Sequence, residues 1–318
     1  TLMPSWEYDL VIIGGGPAGL TAGIYAGRAR LCALLIEKLI HGGQMMTTDL
    51  VENYPGFPEG ISGPELSDRM KQQAERFGLK IVTGEVLELI PGTSEEPALT
   101  LVLEDRRLTT GAAIIASGAH YRRLGVPGEE ELTGQGVSFC ATCDGALYRD
   151  QEIAMVGGGD TALSETLFLT RFASKIHLIH RRDELRGAKY LQEQVLNHDK
   201  VQVHWDSVVE EFKGGQGLEA ISLKNVKTGE KHDLAVTGCF IAIGITPNTK
   251  WLNDIVLMDE WGFVFTDQEM ATNVPGVFAA GDVRSKTLWQ IATAVGEGAM
   301  AATAVEHYLD KVRGRESI

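Results

Sequence analysis

Four short apolar runs punctuate the chain, and each leads into glycine: "VIIGGGPAGL", "AMVGGGDTAL", "IAIGITPN" and "VFAAGDVR". Inside them the apolar residues are continuous rather than alternating, the pattern of a strand covered on both faces, as in a parallel sheet. The run Leu10 to Ile13 predicts such a strand. An Ala-rich amphipathic stretch then predicts a helix to about Ala29, and Cys32 to Ile36 a second strand. The same order recurs as a strand at Ile153–Val156, a helix, and a strand at Lys175–Ile179. Near the C-terminus, Val277–Ala280 predicts a strand that ends at Gly281-Asp282, and residues from about Leu288 a long helix. Strands and helices in this alternation indicate the α/β class.

The glycines between strand and helix are spaced in a particular way. Gly14-x-Gly16-x-x-Gly19 opens the first helix, and Glu37 ends the strand that follows. That context is the dinucleotide-binding fingerprint. Gly14 allows the tight turn, Gly16 lets the backbone approach a pyrophosphate, and Gly19 lets helix and strand pack closely. The helix start offers free N–H groups to phosphate, and Glu37 can accept hydrogen bonds from ribose hydroxyls. The second unit reads Gly157-x-Gly159-x-x-Ala162, but its second strand ends in His180, Arg181 and Arg182, with Arg186 beyond. A carboxylate there would repel a 2′-phosphate, whereas guanidiniums bind one through charge-assisted bonds. The first unit therefore suits a 2′-hydroxyl adenosine and the second a 2′-phosphorylated one. Two such units mean two dinucleotides or one decayed site, and both fingerprints are intact. Asp282, a carboxylate at a strand's C-terminal edge, can bond polyol hydroxyls, with the helix after it aimed at the same crevice.

The apolar-then-glycine pattern at 112–130 and 239–251 brackets the second fingerprint. The expected fold is two Rossmann-like dinucleotide-binding domains, the second inserted into the first. The first would be discontinuous, residues 1–116 and 247–318, and the second would span residues 117–246.

Composition narrows the functions open to such a chain. Formal net charge is −14 and only short basic runs occur, against the basic stripe of a nucleic-acid binder. No segment reaches the roughly 18 apolar residues of a membrane helix. The N-terminal stretch lacks the basic and apolar regions of a secretory signal. Four cysteines in 318 residues do not form a secreted disulfide scaffold. The expectation is a soluble cytoplasmic protein.

Two of those cysteines, Cys140 and Cys143, stand in "GVSFCATCDGALY". Such a pair can be a metal knuckle, a structural disulfide or a dithiol that cycles. Zinc needs four ligands, usually from two knuckles. Cys32 and Cys239 sit singly in apolar runs and are expected in the core, so no metal is expected. A cytosolic setting disfavours a structural disulfide. Asp144 precedes Gly145, so it is a turn residue or a proton-handling one.

Over nearly its whole length the chain resembles the low-molecular-weight (class II) thioredoxin reductases, which are flavoprotein disulfide reductases. The resemblance rests on "GGGPAGLTAGIYAGRA", "GGQMMTTDLVENYPGF", "CATCDG", "GGGDTALSE", "HLIHRRDELR", "AIGITPN" and "VFAAGDVRSKTLWQIATAVGEGAMAA". It implies FAD on the first domain and NADPH on the second. Toward FAD the matching positions are Gly14, Gly16, Pro17, Ala18, Gly19, Glu37, Lys38, Gln44, Thr48, Asn53, Val86 and Ala116. At the C-terminal end they are Gly281, Asp282, Gln290, Ile291 and Ala292. Toward NADPH they are Gly157, Gly159, Asp160, Thr161, Ala162, His180, Arg181, Arg182, Arg186 and Ile243. The family pattern further implies that Cys143 takes electrons at the flavin, Cys140 attacks the partner disulfide, and Asp144 manages the proton. It implies a homodimer, and thioredoxin or a similar small dithiol protein as partner. One departure bears on that partner. Family members commonly carry two aromatic residues after the Asp-Gly that help dock thioredoxin, and here Ala146 and Leu147 stand there. Other enzymes and binders share these parts: a flavin-dependent dithiol oxidase, or a non-turnover NADPH-binding redox sensor.

Overall fold

The first apolar run forms β1 (Tyr8–Ile13), and the glycine turn after it opens α1 (Pro17–Arg28). β2 (Ala33–Glu37), α2 (Gly63–Arg76), β3 (Lys80–Thr83), β4 (Val86–Ile90), β5 (Leu99–Leu103) and β6 (Arg107–Ile115) follow. In this computed structural model, which describes residues 6–48, 50–93 and 95–314, the chain divides into two units. One comprises Thr1–His120 and Thr246–Ile318, and the other Tyr121–Ile245. The chain passes between them through β7 (Ala119–Tyr121) and β16 (Ile245–Pro247), which pair with each other.

The first unit is built on one seven-stranded sheet in the order β3-β2-β1-β6-β5-β4, with β17 (Val277–Ala279) also beside β6. β1, β2, β3, β6 and β17 run parallel, while β4 and β5 join as antiparallel strands. Alternate residues of β1 serve opposite faces. Leu10 and Ile12 pack into one core with α1 and α6 (Ile291–Val312), and Val11 and Ile13 into another with Val277 and Ala279. All four are buried, each stabilising the fold by about 2 kcal/mol. The C-terminal helix starts at Ile291, later than the apolar pattern suggests. Gln290 and Thr293 form a reciprocal capping box, which places the first turn after Gln290.

The second unit carries a five-stranded parallel sheet in the order β11-β10-β9-β15-β8. Its strands are β8 (Val137–Ser138), β9 (Glu152–Gly157), β10 (Lys175–Ile179), β11 (Val201–His204) and β15 (Gly238–Ala242). Its helices are the short α3 (Ala141–Asp144), α4 (Asp160–Leu169) and α5 (Lys189–Leu196). An antiparallel layer of β12 (Ser207–Gly214), β13 (Leu218–Asn225) and β14 (Lys231–Ala235) completes it. In both units the strand order reverses beside the fingerprint strand, at β1 and at β9. That switch point is where open α/β sheets bind ligands, outside the carboxyl ends of the strands.

Candidate functional site

In the first unit the glycine turn is shaped by contact. Gly14 has φ of +110°, and a side-chain carbon there would run into the Ala116 carbonyl at the end of β6. A side chain at Gly19 would strike the Gly14 carbonyl, whereas one at Gly16 would meet nothing within 4 Å. Gly16 is the N-cap of α1 and provides no side-chain cap. Open space and uncapped helix amides make a phosphate cradle. Glu37, at the end of the adjacent β2, braces the turn: its Oε2 accepts from the Gly15 N–H at 2.7 Å and its Oε1 from the Leu39 N–H at 3.0 Å. Lys38 is exposed and paired with Glu85 at 2.7 Å, beside Val86, which is buried.

The other FAD-type positions converge on the same sheet edge. Gly281 and Asp282 follow β17, and a side chain at Gly281 would press on Ala18 of α1. The Gly281 N–H donates to Glu297 at 2.7 Å, and Arg284 pairs with Glu297 at 2.9 Å. Burial pushes the Asp282 carboxyl above the usual carboxylate range. Lys286 opposes that shift and Glu297 adds to it. Asp282 Oδ1 is shut from solvent, 3.2 Å from Lys286 Nζ and outside hydrogen-bond geometry. A ligand hydroxyl would satisfy it. Asn53 Nδ2 donates to Gln290 Oε1 at 3.0 Å, so a loop reaches the start of α6, where Ile291 and Ala292 open the helix. Gln44 donates to the Ala119 carbonyl, and the Thr48 carbonyl accepts from Gly63 N–H. These residues fit a dinucleotide whose adenosine lies toward Glu37.

The second unit repeats the turn with different neighbours. A side chain at Gly157 would strike the Ala242 carbonyl at the end of β15, next to Ile243, and Gly159 faces open space and caps α4 without a side chain. Ala162 is fully buried. His180 is buried where β10 ends and fills the space beside Gly158. Its Nδ1 and Nε2 each lie 3.0 Å from a carbonyl, those of Gly157 and Glu184. Arg181, Arg182 and Arg186 are exposed around it, and the Arg186 N–H donates to the Gly158 carbonyl at 2.7 Å. Asp160 Oδ1 accepts from the Ala188 N–H at 2.6 Å, holding the arginine segment against the helix start, with Thr161 exposed beside it.

The cysteine pair stands at the carboxyl end of β8, on the same sheet edge as Gly157 and Ala242. Cys140 and Cys143 are joined as a disulfide with Cα atoms 5.3 Å apart. Cys140 is the N-cap of α3, and its carbonyl accepts from Cys143 N–H at 3.2 Å and from Asp144 N–H at 3.1 Å. This tight turn keeps both sulfurs at one end, half-exposed. Burial pushes the Tyr148 phenol up to about 12, and the Asp144 carboxylate adds to the shift.

Two residues given no role within the motifs that contain them complete it. Ser138, buried, donates to Asp144 Oδ2 at 2.6 Å and accepts from the Cys140 N–H at 3.1 Å. It links the acid to the cysteine. Glu165 of α4 accepts from the Ala141 backbone, and burial pushes its carboxyl up to about 7. Their only sequence signal is a polar residue within an otherwise apolar neighbourhood. Cys239 is buried, as its apolar run suggests, and burial raises its thiol further. Cys32 is exposed instead: it precedes β2 and its N–H donates to Asp9 at 2.9 Å, so it lies at the strand's mouth rather than in the core. Among the described residues no group of three or more His, Cys, Asp or Glu could hold a metal ion, and no helix is long and apolar enough to cross a membrane.

Comparison with known proteins agrees with this geometry. Residues 8–298 match the family described as pyridine nucleotide-disulphide oxidoreductase. The thioredoxin reductase of Listeria innocua is 44% identical over 96% of this chain and 95% of its own. That of Bacillus subtilis is also 44% identical, over 96% of each. The crystal structure of thioredoxin reductase from Streptococcus pyogenes superimposes with a TM-score of 0.92 at 46% identity, covering 96% of this chain and 98% of that one.

Proposed function

The chain belongs to the pyridine nucleotide-disulphide oxidoreductases, and from that premise we infer that it is an NADPH-dependent, FAD-carrying thioredoxin reductase. The observation that carries the reading is the Cys140–Cys143 disulfide, set on the sheet edge that also presents the Gly157 turn. Bound FAD supplies the two-electron carrier that joins nicotinamide chemistry to disulfide chemistry. The Gly14–Gly19 turn and the α1 amides hold its pyrophosphate, Glu37 its ribose hydroxyls, and Asp282 the hydroxyls of its polyol. Arg181, Arg182 and Arg186 hold the 2′-phosphate of NADPH through charge-assisted bonds.

Reduction of the Cys140–Cys143 bond takes two electrons and two protons and leaves two thiols. Cys143 receives the electrons. Cys140 then attacks the partner's disulfide as a thiolate, breaking that S–S bond and forming a mixed disulfide. Asp144, oriented by Ser138, gives a proton to the departing thiolate. Cys143 resolves the mixed disulfide, releasing a reduced dithiol partner and restoring the internal bond. The partner is thioredoxin or a similar small dithiol protein, the enzyme works as a homodimer, and a reducing cytoplasm is its compartment.

The test is anaerobic addition of NADPH to the purified yellow protein, followed by turnover with thioredoxin. Bleaching of the flavin and steady NADPH oxidation are expected, and oxidation stops in Cys140→Ser and Cys143→Ser while FAD stays bound. A flavin that NADPH does not bleach would overturn the reading. Dithiol-driven oxygen uptake that survives loss of Arg181 and Arg182 would mark an oxidase instead.

A further inference from the structure

Between the two cysteines, the hydroxyl of Thr142 lies against the sulfur that acts as nucleophile. Its Oγ1 is 3.4 Å from Cys140 Sγ. A disulfide sulfur carries no hydrogen, so in this contact the hydroxyl donates and the sulfur accepts. A thiolate at the start of a helix is ordinarily stabilised by the first backbone amides. Here four of the five amides from Cys140 to Asp144 donate elsewhere. The Cys140 N–H goes to Ser138 Oγ at 3.1 Å and the Ala141 N–H to Glu165. The Cys143 and Asp144 N–H groups both go to the Cys140 carbonyl, at 3.2 and 3.1 Å. α3 is a single turn, too short for a helix dipole of any weight. Residues 136–148 contain no Lys, Arg or His. The same turn holds the Asp144 carboxylate, whose charge has the sign of a thiolate.

We propose that Thr142 is a further catalytic residue, its hydroxyl donating to the Cys140 thiolate that attacks the partner disulfide. The proposal rests on the reductase reading, in which Cys140 is the attacking sulfur, and adds to it a group that touches the reacting atom. A charge-assisted hydrogen bond is about twice as strong as a neutral one, so this bond strengthens when the sulfur ionises and favours the thiolate. In the attack, the Cys140 electron pair forms a bond to one partner sulfur, the partner S–S bond breaks, and the other sulfur leaves with its electrons. Thr142 keeps its proton throughout, and its bond weakens again as Cys140 enters the neutral mixed disulfide. Thr142 is exposed and Cys140 half-exposed, so water also reaches the thiolate in the free enzyme. A docked partner displaces that water, whereas the hydroxyl, tethered two residues away, stays as donor. Thr142 therefore contributes more to turnover with a protein disulfide than to reaction with a small reagent.

The experiment compares Thr142→Val, which keeps the shape and removes the hydroxyl, with Thr142→Ser, which keeps the hydroxyl. In Cys143→Ser holoenzyme, Cys140 is the one thiol left in the turn. Its alkylation by iodoacetamide is followed by the mass of its peptide, apart from those of Cys32 and Cys239. Adding Thr142→Val should slow alkylation at pH 7 about threefold and move the midpoint of its pH profile upward. Thr142→Ser should restore both. With both cysteines present, Thr142→Val should lower kcat with a bacterial thioredoxin about fivefold, with KM held within about twofold. Flavin content and anaerobic bleaching by NADPH stay unchanged. An alkylation rate and midpoint that Thr142→Val leaves alone would overturn the proposal. So would a Thr142→Ser enzyme as slow as Thr142→Val, or loss of flavin in the valine variant, either of which would assign the threonine to packing. Failure of the unsubstituted holoenzyme to reduce thioredoxin with NADPH would instead sink the reductase reading, and the alkylation rates would still judge Thr142.

Discussion

The two fingerprint units are the same local fold given different duties, and three matched positions carry the difference. Three residues after the second glycine stands Gly19 in the first unit and Ala162 in the second. Six residues after it stand Ala22, fully buried in apolar packing, and Glu165, whose carboxyl reaches the redox turn. Twenty-one residues after it stand Glu37, which braces the glycine turn through Gly15, and His180, which is buried beside Gly158 and hands the outward positions to arginines. Backbone geometry is thus shared because strand, turn and helix require it. Ligand choice and coupling to chemistry are written in single side chains that the geometry leaves free.

The largest effect expected from breaking the comparison comes at the third position. Gly19→Ala would imitate the second unit, but its methyl would collide with the Gly14 carbonyl, where Ala162 is accommodated. Overpacking of this kind costs about 1–3 kcal/mol or more. The variant should purify largely free of flavin while still binding NADPH, as flavin content and NADPH titration will show. Full flavin content would mean the close approach is not needed. Next in size is the strand end. Replacing Arg181 and Arg182 together by Gln removes charge-assisted bonds, each of about 1.5–3 kcal/mol. kcat/KM for NADPH should fall roughly 100-fold, with the value for NADH little changed. A parallel loss for both nucleotides would place the arginines in folding rather than in selection. The acid of the first unit is worth less: Glu37→Gln keeps an acceptor for Gly15 but loses the charge, and FAD affinity should drop roughly tenfold. Flavin fluorescence during dilution measures it, and an unchanged dissociation constant would confine Glu37 to bracing the turn.

Much of this contrast is legible in the sequence because it is local. The glycine spacing, the continuous apolar runs and the residue ending each second strand all sit within some thirty positions, and the backbone realises them directly. The strands β1, β9 and β10 lie where the apolar runs place them, while α6 begins only where the Gln290–Thr293 box allows. What escapes is tertiary. Ser138 reaches both Asp144 and Cys140 because β8 delivers it to the turn. Glu165 meets Ala141 across 24 positions of chain only because α4 packs on α3. The apolar environment of Cys32 in sequence hides an exposed position, since the strand starts one residue later.

The smallest effect concerns the six-residue position, and it has a definite sign. An ordinary glutamate titrates at 4.5, whereas Glu165 in the fold is pushed up to about 7, burial opposing its charge. Between those values the folded protein holds a proton that the unfolded chain has released. Unfolding then releases a proton, so stability falls as pH rises from about 4.5 to about 7 and is flat outside that window. The full shift would correspond to about 3 kcal/mol, and because water reaches part of the side chain the measured loss should be on the order of 1 kcal/mol. Glu165→Gln is neutral throughout and retains an oxygen for the Ala141 N–H. It should match the wild type near pH 4.5 and exceed it by that margin at pH 8, as urea unfolding at both values can read. Ala22 at the matched place in the first unit has no charge to lose, so any pH slope that survives in Glu165→Gln must come from elsewhere. A wild-type-to-variant difference that stays constant from pH 4.5 to 8 would show that Glu165 does not titrate in this window, and the second helix would then differ from the first in polarity alone.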